Sequence, residues 1–180
     1  ELTETEVRDQ METNFFGALW VTQAALPYLR RQRSGHIIQV SSIGGVSAFA
    51  DLGAYHASKW ALEGLSQSLS LEVAPFGIHV TLIEPGGYAT DWGGSSARRS
   101  ATMPEYAESR AEADRVRSQR VARPGDPKAS AAALLKVVDA EKPPLRVFFG
   151  ELPLQIVNAD YQSRLQTWEE WQPIAVLAQG

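Results

Sequence analysis

The sequence predicts an α/β fold built on a parallel sheet, and three observations carry that prediction. Three short runs rich in β-branched and apolar residues stand out: His36-Ile37-Ile38-Gln39-Val40, Ile78-His79-Val80-Thr81-Leu82-Ile83 and Leu145-Arg146-Val147-Phe148-Phe149. Each is apolar enough to be buried on both faces, as in a parallel rather than a half-exposed sheet. Between the first two lies a helical pattern of about twenty residues, and helix between parallel strands is the β-α-β unit with its right-handed crossover. With 180 residues and 44% apolar content, the chain suffices for one domain, residues 1–180, with a substantial core.

The elements follow in order. Thr3 and Glu6 have the T-x-x-E spacing of a capping box and open a helix expected to run to Arg31, with Pro27 expected to interrupt or kink it. Asn14 sits inside that helix, where an amide side chain competes for backbone hydrogen bonds and forms helix poorly. The basic end Arg30-Arg31-Gln32-Arg33, followed by Gly35, suits a helix C-terminus. The first strand then leads into Ser41-Ser42 and the small-residue loop Ile43 to Gly53.

The next helix, Tyr55 to about Ala74, has two apolar faces. Leu62, Leu65, Leu69 and Val73 are expected on the sheet, whereas Ala57, Trp60, Ala61, Gly64, Ser68 and Leu71 form a second stripe. His56, Glu63, Gln67 and Ser70 fall on the arc between. A helix apolar on both sides is usually covered on both sides, which predicts a subunit partner across a two-fold axis. Pro75-Phe76-Gly77 ends it before the second strand. From Asp91 to Arg123 the composition turns to Gly, Ser, Arg, Glu and Ala, the pattern of a solvated helical lid. Asp126 can cap a helix over Ala129 to Ala140, Pro143-Pro144 stops it, and the third strand follows. Gly150 to Asn158 reads as a loop, and Ala159 to Trp171 as a final amphipathic helix.

Composition narrows the function. Seventeen Lys and Arg against twenty-one Asp and Glu give a net charge of −4, which offers no general electrostatic support for a nucleic-acid partner. The absence of cysteine excludes disulfides and thiolate chemistry. No apolar run is long enough to span a membrane and the first residues lack a signal layout, so no membrane partner and a cytoplasmic location are expected. No metal site is expected.

Tyr55 and Lys59 lie at i and i+4 on one helix face, about 6 Å apart at Cβ. Free tyrosine titrates near pH ~10. A neighbouring ammonium favours the phenolate, so Lys59 is expected to lower Tyr55 toward the working range of a general acid or base. Ser42 lies thirteen positions earlier, at the C-terminal end of a strand, where open α/β sheets bind ligands.

Taken together, Asn14-x-x-Gly17, Ser41-Ser42 before Tyr55-x-x-x-Lys59, and Pro85-Gly86-x-x-x-Thr90 resemble the catalytic half of a short-chain dehydrogenase/reductase, over about Glu1 to Gly150. The resemblance implies a Rossmann-like, doubly wound parallel sheet of which this chain holds the C-terminal part, about three strands with flanking helices. It implies an oxidoreductase moving hydride between NAD or NADP and a secondary alcohol or ketone, with Asn14, Ser42, Tyr55 and Lys59 catalytic. Tyr55, Lys59, Pro85, Gly86 and Thr90 would contact the nicotinamide half of the cofactor, and Gly44, Tyr88 and Trp92 the substrate, with Met103 and Tyr106 further apolar candidates. The family's matching Asn sits at a helix distortion and holds a relay water. Residues 91–123 would form the substrate lid, and the helices at 2–31 and 55–74 a homodimer or homotetramer interface.

The 31 residues after Phe149 favour the hydroxysteroid-dehydrogenase-like members over 3-oxoacyl reductases, and the small tail disfavours nucleotide-sugar epimerases or dehydratases. A catalytically silent cofactor-binding sensor or scaffold is the rival of another class. No glycine-rich pyrophosphate turn occurs in these 180 residues. The resemblance therefore implies that the N-terminal dinucleotide-binding part, roughly 80 to 90 residues, is absent, and that the 180-residue form is inactive and binds neither cofactor normally. The choice between NAD and NADP is not encoded here.

Overall fold

The computed structural model describes residues 1–94, 97–120 and 123–180, with the side chains of Gly93 and Arg120 left out. Three parallel strands, β1 (Gly35–Val40), β2 (Ile78–Pro85) and β3 (Arg146–Phe149), form one sheet in the order β1-β2-β3. Gly35 to Val40 pair with Ile78 to Ile83, and Leu82 to Pro85 pair with Arg146 to Phe149. Parallel pairing is what the apolar runs predict, and each strand lies within a residue or two of its expected place.

Gln39, Leu82 and Arg146 are in register across the sheet and therefore project from the same face. Of the helices α1 (Glu4–Met11), α2 (Gly17–Gln32) and α3 (Gly53–Val73), the last two serve that face and the first packs against α3. Gln39 donates to Thr22 of α2 at 2.8 Å, and Leu69 and Val73 of α3 form a core cluster with Ile78 and Val80. Leu26, Leu29 and Ile37 close that cluster. Leu62 and Leu82 are 1% and 0% exposed, and burial of such a side chain stabilises by about 1.5–3 kcal/mol.

The first helical stretch is continuous but not uniform. Thr3 and Glu6 form the expected capping box. Glu12–Phe16 then widens into a π-helical turn between α1 and α2, and α2 continues past Pro27 to Gln32. Proline thus does not end the helix, and the distortion lies around Asn14 instead. Helix α2 closes on Arg33 in the left-handed region (φ 55°), not on a glycine. Gly77 is the turn that needs glycine: its φ is 66° and a Cβ there would lie 2.7 Å from the Arg33 carbonyl oxygen.

Beyond β2 the chain forms α4 (Ala107–Arg120), α5 (Ala129–Val138) and α6 (Pro153–Gln179). The expected lid over 91–123 includes Ser95, Ser96, Val121 and Ala122, which lie outside the described residues. Its described part is tethered toward α1: the Met103 N–H donates to Glu1 at 2.9 Å, Arg110 pairs with Glu1, and Arg98 meets Asp9 at 3.2 Å. The last helix is longer than its amphipathic signal. It starts at Pro153, which fits the first turn because its missing N–H has no helical partner there, and it runs through Pro173. Among the described residues no helix is long and apolar enough to cross a membrane.

Candidate active site

The site forms where β1 ends and α3 begins. The backbone stays extended through Ser42, whose N-terminal neighbour Ser41 still pairs with Ile83 at 2.8 Å. A tight turn over Ile43–Gly45 follows, and the Gly44 N–H donates to Ser42 Oγ at 3.0 Å, which fixes the hydroxyl. From that position Ser42 hydrogen-bonds the Tyr55 phenol. Tyr55 is half-buried in the first turn of α3, and its ring lies 5.3 Å from that of Trp92.

The Tyr55 phenol sits above its ordinary value because burial disfavours the phenolate, while the Ser42 hydrogen bond pulls it back down. This corrects the expectation that Lys59 does the lowering. The Lys59 ammonium instead donates to the Val40 carbonyl at 2.9 Å, at the end of β1. Burial pushes Lys59 down and the charge of Glu63, one turn further along α3, pulls it up.

Asn14 is brought to the same region by the π-helical turn. Its amide donates to Ser58 Oγ at 3.1 Å, and Ser58 in turn donates to the Tyr55 carbonyl at 2.7 Å. Ser58 was not singled out by the sequence pattern, although its place inside Tyr55-x-x-x-Lys59 marked it as a neighbour of both. His56 is a second addition. The Phe49 N–H donates to His56 Nε2 at 2.9 Å, so that nitrogen is the acceptor and Nδ1–H donates to the Gly44 carbonyl at 2.7 Å. His56 is 5% exposed and clasps both ends of the loop after Ser42, rather than lying on a polar arc.

That loop is also fastened from the other end of the chain. Ser47 donates to Asp160 of α6 at 2.7 Å, and Arg164 bonds Asp160 at 2.7 Å while lying over the rings of Trp60 and Tyr161. Gly44 approaches so closely that a Cβ would lie 2.9 Å from His56 Nδ1 and 3.0 Å from Tyr55 Cε1.

The segment after β2 is distributed unevenly around the site. Gly86 pairs with the Phe149 carbonyl at 2.9 Å, and a Cβ there would lie 2.9 Å from Pro153, so Pro85-Gly86 turns tightly under the start of α6. Thr90 Oγ accepts from the Trp92 N–H at 3.4 Å. Trp92 faces Tyr55, but Tyr88 bridges to Gly125 and places its ring against that glycine. Met103 and Tyr106 are exposed on the segment tethered to Glu1. No cluster of potential metal ligands occurs among the described residues.

A family profile described as short chain dehydrogenase matches residues 1–101, more than half of the chain. The chain belongs to the short-chain dehydrogenase family. Among its relatives, Oxidoreductase BOA17 of Botryotinia fuckeliana is 38% identical over 168 residues, covering 93% of this chain and 61% of that protein. A 3-ketodihydrosphingosine reductase of Bacteroides thetaiotaomicron is 39% identical over 165 residues, covering 91% and 61%. Among solved structures, a short-chain dehydrogenase from Streptomyces avermitilis superposes with a TM-score of 0.88 at 38% identity, covering 98% of this chain and 64% of that one. A short chain dehydrogenase from Burkholderia cenocepacia, solved in complex with NADP, shares the fold with a TM-score of 0.67 at 21% identity, covering 91% of this chain and 58% of that one. This short-chain dehydrogenase chain thus spans about three fifths of the length of the two curated relatives.

Proposed function

We propose that the protein is an NAD(P)-dependent oxidoreductase that interconverts a secondary alcohol and a ketone, with Tyr55 as general acid and base. The observation that carries this reading is the convergence of Ser42, Tyr55, Lys59 and the Asn14–Ser58 link at one end of β1 and α3. Family membership supports it, and so do relatives named as oxidoreductases and reductases.

In the direction of reduction, Tyr55 gives its proton to the carbonyl oxygen while Ser42 donates a hydrogen bond to the same oxygen as charge grows there. Asn14, through Ser58 and the backbone of the first turn of α3, fixes where Tyr55 stands.

The residues fit a nicotinamide nucleotide on one side. Lys59 has three donors, one of which goes to Val40, so sugar hydroxyls can be held beside Tyr55. Pro85, Gly86 and Thr90 supply backbone and a hydroxyl on the flank of Trp92. The nucleotide supplies or accepts the hydride when bound. Trp92 and Gly44 would shape the substrate side, with Trp92 the aromatic wall against Tyr55. The exposed outer stripe of α3, including Trp60 and Leu71, together with exposed Trp20 and Val21 of α2, would form a subunit interface. Sedimentation showing only monomer at micromolar concentration would remove that last element.

Tyr55→Phe keeps the ring and removes the proton, so turnover of a ketone with NAD(P)H should fall about 10²-fold or more. Turnover close to that of the unaltered enzyme would reject the assignment.

A further inference from the structure

Behind the Tyr55–Lys59 face lies a second set of ionisable groups that the proposed reaction does not use. Glu63 follows Lys59 by one turn of α3 and is 4% exposed; Glu84, near the C-terminal end of β2, is 0% exposed. Glu84 lies two residues beyond Leu82 and four beyond Val80, so it projects from the same face, the one covered by α3. Arg146 of β3 is the shared cation. Its Nε donates to Glu63 Oε2 at 2.9 Å and lies 3.4 Å from Glu84 Oε1, while Nη2 donates to Gln67 at 2.9 Å. The set sits directly under the active-site loop, because a Cβ on Gly45 would lie 2.9 Å from Glu63 Cγ and 2.7 Å from Ser41 Oγ.

Two carboxylates are shut away from water here, and a buried carboxylate is tolerated only where donors satisfy its oxygens. The hydrogen bonding is lopsided. Glu63 has the Arg146 N–H, whereas neither oxygen of Glu84 accepts a hydrogen bond among the described residues. A buried carboxylate without donors is strongly disfavoured, but a neutral carboxylic acid there is not. Burial and the charge of Glu63 together push Glu84 up to about 8, against the pull of Arg146.

We propose that Glu84 is held as the neutral acid, donating its proton in a hydrogen bond to Glu63, so that Glu63 alone carries the negative charge that keeps Lys59 an ammonium. The ionisable groups that meet are Lys59 and Glu63 from α3, Glu84 from β2 and Arg146 from β3. Were both carboxyls neutral, burial of Lys59 would go unopposed; were both ionised, Glu84 would be a buried carboxylate that accepts no hydrogen bond among the described residues. Glu63 and Glu84 are thus positioning residues, acting on the reaction only through Lys59. Their value to turnover rests on the reading of Tyr55 as acid and base, but their charge state does not.

The test uses the full chain without substrate or cofactor, so it stands apart from the outcome of the Tyr55→Phe assay. The sequence has four lysines, Lys59, Lys128, Lys136 and Lys142, which ¹³C labelling at Cε resolves in an NMR pH titration. Glu63→Gln should move the Lys59 titration to lower pH, and Glu84→Gln, which keeps a neutral donor in place, should leave it unmoved. Infrared spectra of the unaltered chain at neutral pH should show a protonated-carboxyl stretch that disappears in Glu84→Gln. The proposal is overturned if Glu63→Gln leaves Lys59 unmoved, or if Glu84→Gln moves it equally. It is also overturned if the unaltered chain shows no protonated-carboxyl band, a measurement that requires no variant to fold.

Discussion

Asn14 reaches Ser58 across 44 positions of sequence, its amide donating to the serine hydroxyl at 3.1 Å. Ser58 passes the constraint on to the Tyr55 carbonyl. The π-helical turn and α3 are therefore joined by a polar link at the level of Tyr55, above the apolar packing of Leu69 and Val73.

Replacing Asn14 with Ala should remove that link without disturbing the core. A partly buried hydrogen bond of this kind contributes about 1 kcal/mol. The expected result is a small fall in the denaturant midpoint and a fall in kcat, with ketone KM little changed. A variant with unaltered kcat would show that Asn14 does not position Tyr55.

Ser42→Ala bears on the proton itself. Burial holds the Tyr55 phenol above its ordinary value and only the Ser42 hydrogen bond opposes it. Without that hydroxyl, Tyr55 should titrate at higher pH, read from tyrosinate absorbance with Tyr55→Phe identifying the signal. The rate of ketone reduction should fall as well, since the same hydroxyl is proposed to stabilise charge on the substrate oxygen. An unmoved titration would mean that Ser42 does not tune Tyr55.

Gly44→Ala tests the clasp formed by His56. Its Cβ would press on an imidazole already hydrogen-bonded at both nitrogens and on the Tyr55 ring. Overpacking of this sort costs about 1–3 kcal/mol. Thermal unfolding should report the loss, and KM for the ketone should rise. A variant as stable as the parent would show that the loop yields easily.

Glu84 has a measurable consequence for stability. Its folded value of about 8 lies above the ordinary 4.5, so between those values the folded chain holds more protons than the unfolded one. Its contribution is complete below about pH 4.5 and is lost as pH rises toward 8, with a slope of at most about 1.4 kcal/mol per pH unit. Urea unfolding across that window should therefore show a steeper alkaline decline for the parent than for Glu84→Gln. Equal slopes would contradict the raised value.

The strands were legible because each is a β-branched run with no polar alternation, and burial on both faces leaves that trace. The proposed roles of Ser42, Tyr55 and Lys59 were legible because local geometry, one helix turn or one strand end, relates them, whereas Asn14 was marked only by the family resemblance. Three things were hidden. His56 and Glu63 read as a polar arc of α3, but their partners, the Gly44 carbonyl and Arg146, come from other parts of the chain. The direction of the Tyr55 shift depends on burial, which spacing on a helix face does not reveal. The start of α6 at Pro153 was masked by Gly150 and the proline itself, although proline in a first turn is compatible with helix.

The wide turn at Glu12–Phe16 works as a phase shifter. An α-helix advances about 100° per residue, so one surplus residue rotates everything beyond it relative to everything before it. Asn14 then faces α3 while Thr22 faces β1. Regular winding would force a choice between those orientations, and a family of sequences keeping both must also keep the odd residue count between them.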